Sequence, residues 1–171
     1  MDFHPHEYQS IAIQRIIDNT HYGLLLDMGL GKTISTLIAI DRLMYDYFDI
    51  KKVLLIAPKK VVESTWAQES QKWSATRRLT VAKVLGSEKE RIQALESESD
   101  VYVINRENVQ WLYEYYHKKK SFPFDMLVID ESSSFKNPQA KRFKAIRKLR
   151  PLFKRIVILT GTPAPNTLLD I

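Results

Sequence analysis

The sequence predicts an α/β fold in which a mainly parallel sheet is covered by helices on both faces. Short apolar runs alternate with helical patterns along the chain, and the runs are almost continuously apolar, as in "KKVLLIAP" and "FDMLVIDE". Such runs are typical of strands buried on both faces. Because helices separate consecutive strands, right-handed crossovers should join the strands in parallel.

These apolar runs are the six predicted strands. They occupy residues 22–27, 51–58, 79–86, 100–105, 124–131 and 154–161. In a sheet of this kind, ligands bind at the carboxyl edge, where the strands end. The polar residues that close three of the runs are therefore the first candidates for function, and they are Asp27, Asp130 with Glu131, and Thr160 with Gly161.

Five helices are predicted between the strands. The first runs from Lys32 to about Phe48, and the fourth runs from Glu107 to about His117. The third begins after Ser87, because a glutamate three residues later completes a capping box. The second and fifth are predicted from apolar stripes, which are Val62, Trp66 and Trp73 in one and Phe143, Ile146 and Leu149 in the other. The helical spacing of Trp66, Trp73 and Trp111 indicates core residues rather than stacking platforms.

Length and composition indicate one globular domain spanning residues 1–171. The chain is 44% hydrophobic and 27% charged, and a chain of this length buries about 70% of its unfolded surface. It has no cysteine, which excludes disulfides, thiolate zinc sites and cysteine nucleophiles. No signal peptide or membrane span is predicted. We expect a soluble, intracellular monomer with no membrane partner, cytoplasmic if prokaryotic or viral and nuclear if eukaryotic.

Positive charge is concentrated near the end of the chain. Between Ser132 and Leu169 there are nine basic residues and no acidic one, whereas the rest of the chain has 17 basic and 20 acidic residues. A one-sided basic segment can attract a polyanion such as nucleic acid. A solvated helix face is the simpler interpretation of the same pattern.

The stretch "LLLDMGLGKT" predicts a phosphate-binding loop between a strand and a helix. Gly29 and Gly31 let backbone N–H groups approach phosphate oxygens, and the helix N-terminus adds further donors. Lys32 can reach the β- and γ-phosphates, and the Thr33 hydroxyl can ligate magnesium. The general pattern has a glycine where this chain has Leu26, and a glycine turn with a chance Lys-Thr pair is the alternative.

The adjacent acids in "LVIDESSSFKN" complete the predicted site. Two neighbouring carboxylates at the end of a buried strand repel each other and are costly to bury. A magnesium–nucleotide complex removes that cost, with Asp130 holding the ion and Glu131 orienting and deprotonating the attacking water. The alternative is an exposed turn in which both acids are solvated.

Five motifs in order resemble the Swi/Snf-related branch of superfamily-two helicases and translocases. "DMGLGKT" is similar to the nucleotide loop of that branch, and "DESSSFKN" aligns without gaps to its "DEAHRLKN". "LTGTPAPN" resembles its coupling motif, "APKKVVESTWAQESQKW" its first strand-contact motif and "PHEYQ" its glutamine motif. The set covers nearly the whole chain, so the resemblance is to the first RecA-like lobe, a three-layer P-loop fold.

The resemblance implies a role for each matching residue. Gln9 would contact adenine with Tyr8 nearby, and the phosphates of ATP would be cradled by Met28, Gly29, Leu30, Gly31, Lys32 and Thr33. Lys32, Asp130 and Glu131 would be the catalytic residues, with magnesium held by Thr33 and Asp130. Coupling of hydrolysis to motion would involve Ser133, Thr160, Gly161 and Thr162. Nucleic acid would be contacted by Pro58, Lys59, Asn105, Arg106, Lys136 and Asn137.

Two features depart from the family pattern. Ser133 stands where the family has a histidine that links the acids to the coupling motif, and serine reaches less far. The chain also stops at Ile171, just after the coupling motif, so the second lobe and its arginines are expected to lie outside it.

The predicted function is the ATP-binding lobe of a nucleic-acid-dependent, magnesium-using ATPase. Double-stranded DNA is favoured as its track on the family resemblance alone. Two alternatives are a non-catalytic module switched by nucleotide and a simple nucleic-acid-binding domain that uses the basic segment.

Overall fold

The computed structural model describes residues 1–26, 31–130 and 141–161, and in them a six-stranded parallel sheet lies between two layers of helices. The strand order is β1-β6-β5-β2-β4-β3, and every neighbouring pair is parallel. This confirms the predicted fold class. The strands are β1 His21–Leu25, β2 Val53–Ala57, β3 Val81–Val84, β4 Val101–Asn105, β5 Met126–Asp130 and β6 Arg155–Thr160.

Six α-helices in the described part of the chain cover the sheet, three on each face. They are α1 Glu7–Asp18, α2 Lys32–Asp41, α3 Trp66–Lys72, α4 Glu88–Glu96, α5 Val109–Lys119 and α6 Lys141–Leu149. Helices α1, α2 and α3 pack in one core and α4, α5 and α6 in the other. None of the helices within residues 1–26, 31–130 and 141–161 is long and apolar enough to cross a membrane.

The central strand β2 is apolar throughout because it serves both cores. In β2, Val53 and Leu55 face the core of α1–α3, whereas Leu54 and Ile56 face the core of α4–α6. The edge strand β1 differs, since Leu24 is its only buried residue and Leu25 is 55% exposed. A strand at the edge has one neighbour and less cover, so its apolar run does not imply burial.

The helices differ from the predictions in three places. Helix α1 was not predicted, although its buried residues Ile13, Ile16 and Ile17 are spaced as in an amphipathic helix. Helix α2 ends at Asp41 and continues as the π-helical turn Arg42–Asp46. A second π-helical turn, Val61–Thr65, leads into α3, where a single α-helix was predicted.

The capping box and one of the three tryptophan predictions are confirmed in full. The Ser87 hydroxyl accepts from the Glu90 N–H at 3.2 Å, and the Glu90 carboxylate accepts from the Ser87 N–H at 3.3 Å. Trp66 is completely buried. Trp73 and Trp111 are half-buried and pack against the margins of the two cores, so they are core residues only in part.

Two residues of the basic segment form ion pairs within the fold. Lys154 and Arg155 both pair with the carboxylate of Asp49, and Arg155 is 9% exposed. The Arg155 guanidinium also donates to the carbonyls of Ile16 and Ile17, at 3.1 and 3.0 Å. These carbonyls lie at the C-terminal end of α1, where they lack helical partners. Arg155 therefore fastens α1 to the start of β6.

We expect Asp49→Asn to lower the free energy of unfolding by about 1–3 kcal/mol at neutral pH, because an amide loses two charge-assisted hydrogen bonds. The hydrogen bond from Lys154, reinforced by Arg155, holds the pKa of Asp49 below its ordinary value of 3.8. A carboxyl with a lowered folded pKa stabilises the fold above its unfolded pKa and loses that contribution as the pH falls through the folded value. In urea unfolding, the difference between wild type and variant should therefore shrink below pH 3.8.

Asp46→Asn is the matched control. Its side chain is 56% exposed and lies 3.5 Å from Arg78, so its loss should cost less than about 0.5 kcal/mol. Equal losses for the two variants at neutral pH would show that Asp49 does not anchor β6.

Candidate active site

The carboxyl edge of the sheet brings three of the predicted site residues close together. Strand β6 lies between β1 and β5, with Leu25 opposite Thr160 and Asp130 opposite Leu159. The Leu26 N–H donates to the Thr160 carbonyl at 3.2 Å, which extends the pairing one residue beyond β1. Three adjacent strands therefore lead to this edge. Thr160 ends β6, Asp130 ends β5, and Lys32 comes after β1.

Lys32 and Asp130 form a buried ion pair. The Lys32 Nζ lies 3.2 Å from the Asp130 Oδ1, and the two side chains are 13% and 4% exposed. Burying a carboxylate is costly unless a cation or hydrogen bonds compensate for the lost water. The pair shows that the lysine of the loop and the acid of β5 share one buried volume, although 98 positions separate them in the sequence.

Trp66 holds the same carboxylate from its other side. Its indole Nε1 donates to the Asp130 Oδ2 at 3.1 Å, and both residues are buried. The helical spacing of Trp66 predicts its place in the core but not this contact. A signal did exist, because a buried indole N–H usually finds an acceptor and β5 ends in a carboxylate beside β2.

Gly31 and Gln9 are packed against each other. Gly31 has φ +80°, and a Cβ added to it would lie 2.4 Å from the Gln9 Nε2. Gln9 is 5% exposed, and its Oε1 accepts from the His6 N–H at 2.9 Å. The first turn of α1 therefore rests on the last glycine of the loop. Tyr8 is 40% exposed and stacks on His6, so it lies beside Gln9 but at the surface.

Helix α2 begins directly at the loop. The Ser35 N–H donates to the Gly31 carbonyl at 3.0 Å and the Thr36 hydroxyl to the Lys32 carbonyl at 2.7 Å. Thr33 is half-buried in the same first turn. The early N–H groups of a helix are available to anions, as the loop prediction requires.

The donor chemistry of the site suits magnesium. Asp130 and Thr33 offer hard oxygen ligands, which Mg²⁺ prefers to nitrogen or sulfur. Within residues 1–26, 31–130 and 141–161, no three His, Cys, Asp or Glu side chains cluster as a metal cage would need. Magnesium in nucleotide sites is held by one or two protein ligands and by phosphate oxygens, so this small donor set fits it.

The residues predicted to contact nucleic acid follow two other adjacent strands. Ala57 lies opposite Asn105, so Pro58 and Lys59 leave β2 at the level where Arg106 leaves β4. Lys59 is exposed, whereas Pro58 and Arg106 are half-buried and Arg106 lies 3.5 Å from Glu107. Asn105 is 7% exposed, and its amide bonds to Glu107 and Asn108 within the chain. Lys59 is thus the most accessible of the four.

Thr160 and Gly161 of the predicted coupling motif lie at the end of β6, with Thr160 6% exposed and Gly161 half-buried. The remaining predicted residues lie outside the described part of the chain, and they are Asp27, Met28, Gly29, Leu30, Glu131, Ser133, Lys136, Asn137 and Thr162.

A comparison with protein families gives the affiliation of the chain. The SNF2-related domain matches residues 8–171, nearly the whole sequence. The chain belongs to the SNF2-related domain family. The predicted resemblance to a first RecA-like lobe of the Swi/Snf branch is therefore confirmed, and with it the broad class of helicase-like ATPases.

Two relatives and one solved structure are similar to this SNF2-related domain. Protein p41 of Acyrthosiphon pisum secondary endosymbiont phage 1 is 35% identical, covering 99% of this chain and 38% of the phage protein. An uncharacterized ATP-dependent helicase of Mycoplasma genitalium is 33% identical, covering 93% of this chain and 15% of the helicase. The Sulfolobus solfataricus SWI2/SNF2 ATPase core in complex with dsDNA has a TM-score of 0.74 at 24% identity, covering 95% of this chain and 33% of that one. The domain thus spans less than two fifths of each of these proteins.

We expect Gly31→Ala to weaken nucleotide binding. A Cβ at φ +80° strains the backbone, and it would force the Gln9 amide away from the loop. The affinity of the full-length protein for a fluorescent ATP analogue should fall about tenfold, the equivalent of about 1.4 kcal/mol.

Gly86→Ala provides the control, since Gly86 has φ +89° and a Cβ there would meet the Glu90 carboxylate at 2.7 Å. Both variants should lose about 1–2 kcal/mol of unfolding free energy, but only Gly31→Ala should lose affinity for the analogue. If the two variants bound the analogue with equal affinity, Gly31 would not belong to the binding site.

Proposed function

We propose that this SNF2-related domain is the nucleotide-binding lobe of an ATPase that moves along double-stranded DNA. A second RecA-like lobe of the full-length protein would complete its site, and ATP with Mg²⁺ would be the substrate complex. The observation that carries the proposal is the buried contact between Lys32 and Asp130, because a cation from a glycine loop and an acid from β5 meet where a nucleotide would place its phosphates and metal.

Each residue has a distinct task in this proposal. The loop that ends at Gly31 receives the phosphates on backbone N–H groups, and Lys32 neutralises the charge on the outer phosphates. Thr33 and Asp130 would hold magnesium, which neutralises charge on the transferred phosphoryl group. Glu131 accepts the proton of the attacking water, and Gln9 selects adenine through its amide.

The proposed track lies beside the nucleotide residues. Pro58, Lys59, Asn105 and Arg106 follow β2 and β4, and β2 pairs with β5, which carries Asp130. A DNA strand whose backbone runs along this edge would come close to the Asp130 carboxylate. The Sulfolobus ATPase core of similar fold is in complex with dsDNA, which supports the choice of duplex over single strand. Lys136 and Asn137 are proposed to extend the same surface, and the working unit is proposed to be a monomer.

The roles of Lys32 and Glu131 can be separated in the full-length protein. Lys32→Ala should lower both ATP affinity and turnover, the latter by about 10²–10³, because an electrostatic donor is lost. Glu131→Gln should keep ATP affinity and lower turnover by about 10²–10⁴, since the general base is lost. DNA-stimulated phosphate release and binding of a non-hydrolysable ATP analogue are the two measurements.

Lys51→Ala and Glu114→Gln serve as controls, since both side chains are exposed and are assigned no role in the site. Unchanged turnover in Glu131→Gln would favour a nucleotide-switched module without catalysis. A DNA affinity that falls steeply with salt concentration but is the same with and without the ATP analogue would favour a simple nucleic-acid-binding domain.

We expect residues 1–171 on their own to bind ATP but to hydrolyse it slowly or not at all. Arginine fingers contribute about 10³–10⁵ in rate, and in this proposal they come from the second lobe. Steady-state phosphate release from the isolated domain, with and without duplex DNA, tests this. Brisk, DNA-stimulated turnover would mean that one lobe suffices.

A further inference from the structure

The indole of Trp66 fixes the orientation of the Asp130 carboxylate. It donates to the Oδ2 at 3.1 Å, while the Oδ1 lies 3.2 Å from the Lys32 Nζ. With one oxygen held by the indole, the other is turned toward the phosphate loop. An indole displaced by about an ångström would lose this hydrogen bond, because such bonds weaken steeply with distance and angle.

Trp66 is also joined rigidly to the segment proposed to contact DNA. The N–H groups of Val61 and Val62 both donate to the Pro58 carbonyl, at 2.9 and 3.0 Å, so the chain becomes helical as soon as β2 ends. Residues 59–72 form one continuous helical stretch, with Lys59 and Lys60 exposed at its start and Trp66 buried in its middle.

The π-helical turn Val61–Thr65 sets the direction of the indole. One extra residue in a helical turn rotates everything that follows by about 100° around the axis. The Lys83 Nζ, from β3, donates to the Glu63 carbonyl in this turn at 2.6 Å, which fastens the widened turn to the sheet. The turn thus lies between the exposed lysines and the buried indole, and its geometry decides whether the indole meets Asp130.

We propose that Trp66 is a positioning residue that transmits contact with a DNA backbone at residues 58–60 to Asp130. The inference rests on the proposed function, and it adds the physical route between the two halves of the site. A phosphate bound by Lys59 or Lys60 shifts the start of the helical stretch, the stretch moves as a unit, and the indole carries the shift to the carboxylate that faces Lys32.

Trp66→Phe isolates this role, because phenylalanine keeps an aromatic ring in the core and removes only the N–H donor and the smaller ring. Trp73→Phe is the matched control. The Trp73 Nε1 donates to the Glu69 Oε1 of α3 at 2.9 Å, and Trp73, directly after that helix, is half-buried at the margin of the core. The two variants make the same chemical change at positions seven residues apart in the sequence.

The test uses the full-length protein with duplex DNA. In Trp66→Phe we expect the KM for ATP to stay within about twofold while the DNA-stimulated kcat falls about tenfold, as for loss of one hydrogen bond to a charged group. Binding gives a second readout that needs no turnover. The ratio of the Kd values for a non-hydrolysable ATP analogue without and with DNA measures the coupling, and it should fall toward one. Trp73→Phe should match wild type in both.

Two results would overturn the inference. One is a Trp66→Phe protein whose kcat and coupling ratio equal those of Trp73→Phe. The other is a Trp66→Phe protein that loses the same fraction of turnover with and without DNA and keeps the wild-type coupling ratio, which would leave only a packing role. The proposed function fails differently, through a wild-type protein without DNA-dependent turnover or an active Glu131→Gln variant.

Lys83→Met keeps the inference testable if Trp66→Phe does not fold, because Lys83 is exposed and its loss leaves the core intact. Removing its hydrogen bond to the π-helical turn should lower the coupling ratio about twofold to fivefold, the effect of about one ordinary hydrogen bond. Lys72→Met, on the exposed side of α3, should leave the ratio unchanged. Equal ratios in the two lysine variants would count against transmission through this turn.

Discussion

A buried carboxylate held between an ammonium and an indole is the interaction on which this site depends. Asp130 ends a strand that is buried along its whole length, so its charge has little water to stabilise it. Lys32 supplies the opposite charge and Trp66 the hydrogen bond. The two groups that compensate for burying the acid also orient it. Lys32 contacts one of its oxygens and Trp66 the other, and the two residues come from different parts of the chain.

The strand order explains why these parts meet. Strands β1, β6 and β5 bring Lys32, Thr160 and Asp130 to one half of the carboxyl edge, and β2 and β4 bring the proposed DNA contacts to the other half. The halves join where β5 pairs with β2. Trp66 crosses this junction, since the helical stretch that follows β2 returns its indole to the end of β5.

Helix α1 links the amino-terminal ends of the strands to the site at their carboxyl ends. Arg155, at the start of β6, holds the C-terminal carbonyls of α1, while Gln9 in its first turn packs against Gly31. The position of Gln9 at the loop therefore depends on an anchor seven to eight residues farther along the helix. A helix fastened at both ends moves little, which suits a residue proposed to select the base of a nucleotide.

The sequence by itself determined the six strands, five of the six described helices and the meeting of Lys32 with Asp130. These follow from local patterns, since apolar periodicity, a capping box and glycines before a helix each act within a few residues. Only the tertiary structure decided the strand order, the contact of Trp66 with Asp130 and the use of Arg155 to hold α1. Each of these joins residues distant in sequence, or depends on where a helical turn widens by one residue, and no local pattern encodes such pairings.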